Sequence, residues 1–159
     1  MLVVANPATR RDIRRIIGAL REAAPSGVGI DVRITSRAGE ARELAMEHAP
    51  GASLLIAVGG DGTVAEVAGA AIEHDLPLAI LPGGSTNIIA RELGIPTSPQ
   101  AGAKLIFGPN RLKPIDAGSS DRRTFLHMAG AGFDSRFFAR TNSRLKRKVG
   151  WLAYLPPAA

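Results

Sequence analysis

Apolar residues fall in short runs that alternate with stretches of helical spacing. Leu2–Ala5 is an unbroken apolar run ended by Asn6-Pro7, and it predicts a buried strand. Thr9 and Asp12 stand at capping-box-like spacing ahead of Ile13, Ile16, Ile17 and Leu20, which predict a helix closed by Pro25 and Gly27. Ile30, Val32 and Ile34 alternate with Asp31 and Arg33, as in a strand with one wetter face. A second helix is predicted to open at Thr35-Ser36, with Ala41, Leu44, Ala45 and His48 on one side. Residues 53–58 form the most strand-like run and stop at a double glycine. Val64, Val67, Ala68, Ala71 and Ile72 then recur at helical spacing. Residues 78–81 predict a fourth strand, broken by Pro82-Gly83-Gly84, and residues 87–93 and 98–107 predict two more helices.

Strand and helix in regular alternation predict an α/β domain over residues 1–110. It would be a parallel sheet in a three-layer sandwich, covered by helices on both faces. From residue 111 the pattern changes. Residues 112–117 and 124–128 predict the strands of a hairpin turning at 118–121, and Gly130, Gly132 and a basic stretch follow. Residues 111–159 therefore read as the beginning of a second, β-rich antiparallel domain.

In a parallel α/β sheet ligands sit beyond the carboxyl ends of the strands, and the glycine turns fall there. Gly59-Gly60-Asp61-Gly62-Thr63 ends one strand and starts a helix. Glycine permits close approach of backbone to a ligand, and a helix start offers unpaired N–H groups at the positive end of its dipole. Thr63 can cap the helix or meet a phosphate oxygen. Asp61 would repel a phosphate unless a cation intervenes, so it suggests Mg²⁺ or a proton-accepting role. Alone, the turn reads better as a tight Asp-Gly turn with an Asp cap. Pro82-Gly83-Gly84-Ser85-Thr86-Asn87 repeats the same logic at the end of the next strand, and the pair predicts a phosphate cradle. Neither turn is a Walker A loop or a Gly-x-Gly-x-x-Gly fingerprint.

Composition narrows the partners. The net charge is +6, which suits polyphosphate, anionic lipid or nucleic acid, but aromatic residues make up only 4% and give base stacking little material. There is no cysteine, so disulfides and thiolate metal sites are excluded. The apolar runs are too short to span a bilayer and no signal peptide is visible, which leads to the expectation of a cytoplasmic protein, peripheral at most to the inner membrane face. Arg136, Arg140, Arg144, Lys146, Arg147 and Lys148 follow Asp134 with no acidic residue after it. This stretch reads either as a solvated helix face or as a surface meeting anionic membrane or phosphate. His48, His74 and His127 do not cluster by spacing and read as ordinary surface or core histidines.

Taken in order, these motifs resemble the diacylglycerol kinase catalytic-domain family, with its bacterial lipid-kinase and sphingosine-kinase relatives. The resemblance runs through Asn6-Pro7, Thr35 with Gly39-Glu40-Ala41, the segment from Val58 to Val67, and the segment from Leu81 to Pro96. It continues in Ile115-Asp116-Ala117-Gly118, Gly130-Ala131-Gly132-Phe133-Asp134 and the ending around Trp151 and Tyr154. The NAD kinases share the Gly-Gly-Asp-Gly-Thr turn, but the later motifs favour the lipid kinases. The resemblance implies transfer of the γ-phosphoryl of ATP to a lipid hydroxyl with Mg²⁺. It also implies a nucleotide held by Asn6, Thr35, Gly60, Asp61, Gly62, Thr63, Glu66 and Ser85. Asp61 would be the catalytic residue, organising Mg²⁺ or acting as base, and Asp116 would join it at the metal. The implied partner is a lipid substrate at an anionic membrane surface, with no nucleic acid and a homodimer left open.

Two departures bear on this. The family's second glycine motif commonly continues Asn-Asp, where this chain has Asn87-Ile88. Family members are also much longer, which leads to the expectation of a truncated chain. A nucleotide-binding module without catalysis of its own is therefore the alternative reading.

Overall fold

The computed structural model describes residues 1–9, 11–121 and 123–128. The chain divides into two units, Met1–Leu126 and His127–Ala159. The expectations placed on Gly130 to Tyr154, including the basic stretch, lie outside the described residues.

Four strands, β1 (Leu2–Ala5), β2 (Asp31–Ile34), β3 (Leu55–Gly59) and β4 (Leu78–Pro82), form one parallel sheet in the order β2-β1-β3-β4. Five helices lie between and after them: α1 (Ile13–Ala23), α2 (Glu40–His48), α3 (Asp61–Glu73), α4 (Ile88–Glu92) and α5 (Pro99–Phe107). β1 and β3 are buried at every position, so apolar residues serve both parities. Leu2, Val4, Leu55, Ala57 and Ile80 face one core with Ala41 and Ala45 of α2 and Val64 and Val67 of α3. Val3, Ala5, Ile56, Val58 and Leu81 face the other with Ile16 and Leu20 of α1 and Ala103 of α5. This is the expected α/β sandwich of three layers. β2 lies at the edge and is only partly covered, which accounts for its alternating sequence.

Two helix starts differ from the sequence expectation. Asp12, rather than Thr9, is the N-cap of α1, its carboxylate accepting from the Arg14 amide at 2.9 Å. α2 begins at Glu40, not at Thr35-Ser36, because Gly39 takes a left-handed φ of 82° and residues 35–39 form a turn instead. Glu40 closes that turn. Its carboxylate accepts from the Ser36 amide, from the Ser36 hydroxyl at 3.0 Å and from the Arg37 amide at 3.2 Å. The Ser36 amide, and next its hydroxyl, hold the Glu40 carboxyl below the ordinary glutamate range.

A hairpin is present, but displaced. Residues 112–117 form no strand: Leu112 is 78% exposed, and Pro114 lacks the N–H a ladder needs. The strands are β5 (Gly118–Ser120) and β6 (Arg123–Phe125), paired antiparallel where the turn was expected. Gly118 lies against the Phe125 ring, which leaves no room there for a Cβ. Asp121 takes the left-handed turn with φ 48°. β6 packs on α3, where Thr124 and Arg42 close over the side-chain-free Gly69.

Candidate functional site

The order β2-β1-β3-β4 reverses direction between β1 and β3. α1 leaves β1 toward one face of the sheet and α3 leaves β3 toward the other. The crevice at such a reversal, beyond the carboxyl ends of the strands, is where doubly wound sheets take their ligands. Asn6 stands at the end of β1 there. Its side-chain oxygen accepts from the Ala8 amide at 2.8 Å, and its Nδ2 donates to Thr63 Oγ1 of α3 at 3.2 Å. One side chain thus ties the loop after β1 to the helix after β3.

The two glycine turns touch. The Gly83 amide donates to the Gly59 carbonyl at 2.8 Å, carrying the β3–β4 pairing past the strands. A Cβ built on Gly84 would lie 2.6 Å from the Gly60 Cα, so two backbones occupy space that one side chain would need. A Cβ on Gly59 would lie 2.7 Å from Thr63, and one on Gly83 would lie 2.9 Å from Thr9. Packing within the protein therefore accounts for four glycines. Gly62 is different: a Cβ there would meet nothing within 4 Å.

Gly60 is the N-cap of α3 and offers no side-chain cap, so the capping alternative for Thr63 is not realised. The first intrahelical bond runs from the Val64 amide to the Gly60 carbonyl at 3.1 Å. The amides of Asp61, Gly62 and Thr63 precede it and have no intrahelical acceptor. Thr63 itself is buried at 6% exposure and receives the Asn6 bond.

Asp61 opens α3, and its Oδ1 accepts from the Ile88 amide of α4 at 2.6 Å. The carboxylate thereby bridges both glycine turns. Asn87, just before α4, takes a left-handed φ of 49° and clasps Gly84, accepting from its amide at 2.9 Å and donating to its carbonyl at 2.8 Å. Sequence reasoning included Asn87 in a motif but missed this clasp. The signal available was an Asn three residues after a Gly-Gly, since Asn tolerates the left-handed region and can bond its own backbone.

The other predicted residues lie at varied distances from this knot. Thr35, at the end of β2, is buried at 4% exposure, and its amide donates to the Ala5 carbonyl at 2.9 Å. Ser85 is partly buried, with Oγ 3.5 Å from Thr86 Oγ1. Glu66 is engaged by α2. Its Oε2 accepts from the Ala41 amide in the first turn of α2 at 3.1 Å, where a carboxylate complements the dipole. Asp116 is exposed in the irregular segment before β5. Among the described residues no three His, Asp or Glu side chains gather as a metal cluster. No helix there is long and apolar enough to cross a membrane.

Sheet order, layer packing and paired glycine turns place the first unit among doubly wound α/β domains with a ligand crevice at the carboxyl edge. The family model of the diacylglycerol kinase catalytic domain matches residues 1–120, and the chain belongs to that family. A Pseudomonas putida protein named "Probable lipid kinase YegS-like" is 40% identical over 160 residues, covering 98% of this chain and 52% of its own length. A Pseudomonas aeruginosa protein of the same name is 40% identical over 151 residues, covering 93% and 48%. The crystal structure of a diacylglycerol kinase from Bacillus anthracis str. Sterne superposes with a TM-score of 0.66 at 32% identity, over 79% of this chain and 45% of that one. The chain spans about half the length of the curated relatives it matches.

Proposed function

We propose that this chain carries the nucleotide site of an ATP-dependent lipid kinase, which transfers the γ-phosphoryl of ATP to a lipid hydroxyl. Gly62 is the observation that carries the reading. Gly62 stands in the first turn of α3, and no neighbour in this fold requires a glycine at this position. A phosphate lying against the first-turn amides of α3 would require it, because the backbone must come close.

In this reading the amides of Asp61, Gly62 and Thr63 cradle the phosphates. Asn6 and Asn87 hold the cradle rigid from either side, so its donors need no reorganisation when charge develops. The donor set suits Mg²⁺, which binds through one or two carboxylates plus phosphate oxygens rather than an all-protein cage. Asp61 is the first candidate ligand, because only its Oδ1 is engaged by Ile88, and Asp116 is the second. Bound Mg²⁺ would supply charge neutralisation on the transferring phosphoryl group. The acceptor oxygen would form a bond to the γ-phosphorus, the bond to the ADP oxygen would break, and the hydroxyl proton would leave to a base. The acceptor is a lipid presented at an anionic membrane surface, and the protein is peripheral to it.

The engagement of Asp61 by Ile88 and the absence of a three-acid cluster among the described residues favour a second reading, a nucleotide-binding module without turnover. Calorimetry with ATP and radiolabel transfer from ATP to extracted bacterial lipids, on one sample, separate the two. Asp61→Asn keeps an acceptor for Ile88 and should preserve the fold, while lowering Mg²⁺-dependent transfer by about 100-fold or more. An absence of ATP affinity in the unaltered chain would sink both readings.

A further inference from the structure

β2 is the edge of the sheet, and among the described residues no strand pairs with its outer side. The Asp31 and Thr35 amides donate inward, to the Met1 and Ala5 carbonyls. Backbone groups alternate along a strand, so Val32 and Ile34 turn theirs outward, as a template for another chain. Within the chain the Val32 amide has near it the exposed carboxylate of Asp31, whose first partner is Arg33. Natural sheets blunt such an edge with lysine, proline or a bulge. β2 is short, but it carries none of the three.

The sequence along this edge is self-complementary. Ile30-Asp31-Val32-Arg33-Ile34 reads apolar, acidic, apolar, basic, apolar. Reversed and laid beside itself about Val32, it sets Asp31 opposite Arg33 twice and Ile30 opposite Ile34 twice. Val32 meets its own copy through both outward backbone groups. An axis at Asp31 or at Arg33 would set like charges opposite each other, which destabilises an antiparallel pair. The two faces agree with this register. Asp31 and Arg33 lie on the α2 side, in register with Leu2 and Val4, and pair at 2.9 Å with both side chains partly open to solvent. Ile30 and Val32 pack on the α1 side, and Ile34, on that side by its register with Ala5, is 53% exposed. A second copy would cover Ile34 with its Ile30 and join the four charges in one ladder. We propose that β2 pairs antiparallel with β2 of a second copy of this chain, about a two-fold axis through Val32, which joins the two four-stranded sheets into one. The carboxyl edges of the two sheets then point in opposite directions, and the seam leaves both crevices open. The inference stands on the sheet edge and is independent of the kinase reading.

A seam of about six backbone bonds is small, so the dimer is of micromolar strength. Sedimentation velocity of the full chain from about 1 to 200 µM should show monomer passing to dimer. R33D and D31R each set two like-charge pairs across the seam, and each alone should associate about tenfold or more weakly. Mixed in equal amounts they restore opposite charges at both pairs, so the mixture should dimerise as the unaltered chain does. Both positions are solvent-accessible, so melting temperatures should stay close to that of the unaltered chain. K104E, on α5 beside β4, makes the same change in net charge as R33D away from the seam and should stay within about twofold. I34S should weaken association by several-fold. Four outcomes overturn the seam: an unaltered chain that stays monomeric through the range, R33D or D31R associating as strongly as the unaltered chain, a mixture no more associated than either variant alone, or a K104E loss as large as that of R33D.

Discussion

The two glycine turns begin alike and end differently. Each closes a parallel strand of the sheet with Gly-Gly and leads into a helix. The first passes directly into α3, with Gly60 as an N-cap that has no side chain and Gly62 facing open space. The second folds onto itself, with Asn87 bonded to both polar groups of Gly84. The first leaves its donors free, and the second spends its own to stay rigid. Similar sequence patterns therefore serve as a cradle and as the buttress that holds it.

Gly84→Ala should have the largest effect. The new Cβ would lie 2.6 Å from the Gly60 Cα, and backbone cannot yield as a side chain can. Overpacking of this kind costs about 1–3 kcal/mol or more, so chemical denaturation should show a loss at the top of that range, with ATP affinity lost too. Gly60→Ala, whose Cβ would lie 3.3 Å from the Gly84 Cα, should cost less. If Gly60→Ala proves the costlier, the second turn is not the rigid one.

Next comes Asn87→Ala, which removes two hydrogen bonds to Gly84 and forces alanine to a φ of 49°. The two losses together should cost about 2–3 kcal/mol. Asn87→Gly keeps the left-handed conformation without strain and should recover about 1 kcal/mol of that in the same unfolding measurement. Equal losses in the two variants would show that the clasp, and not the conformation, is the whole of the Asn87 contribution.

What the sequence disclosed follows from how local each cause is. The strands were legible because β1 and β3 are apolar at every position, and the turns because glycine and proline mark strand ends wherever they fall. The Asp61–Ile88 bond was not legible, since a main-chain donor leaves no mark in a residue's identity, and the Asn87 clasp left only the mark of an Asn three residues after a glycine pair. The hairpin was misplaced because Leu112 and Ile115 suggested a buried strand, while the register was set by the Phe125 ring over Gly118, a contact between residues seven apart. Ile88, which departs from the family's common Asn-Asp, contributes its amide to Asp61, a contact any residue there except proline could make.

Glu66 tests the boundary between cradle and scaffold. It was assigned to the nucleotide by resemblance, yet its carboxylate accepts from the Ala41 amide of α2. Glu66→Ala should destabilise the first unit by about 1 kcal/mol, the usual loss on removing a helix-start acceptor, and Glu66→Gln should restore most of it. ATP affinity, measured on the same variants, decides whether the residue also reaches the ligand. A large affinity loss in Glu66→Gln at unchanged stability would extend the site toward α2.

Gly62→Ala should affect stability least and bears most directly on the contrast between the turns. No neighbour lies within 4 Å of the added methyl, and the position is helical. Alanine should therefore leave stability unchanged or raise it by up to about 1 kcal/mol. The methyl would, however, stand where a phosphate must approach the first-turn amides, so ATP affinity should fall by about tenfold or more while the melting temperature holds. Asn87→Gly should show the opposite balance, with stability moved more than intrinsic affinity once the unfolded fraction is corrected for. A Gly62→Ala protein that binds ATP as tightly as before would mean that the free amides of α3 are not where the phosphates lie. The open turn would then be open for some other reason.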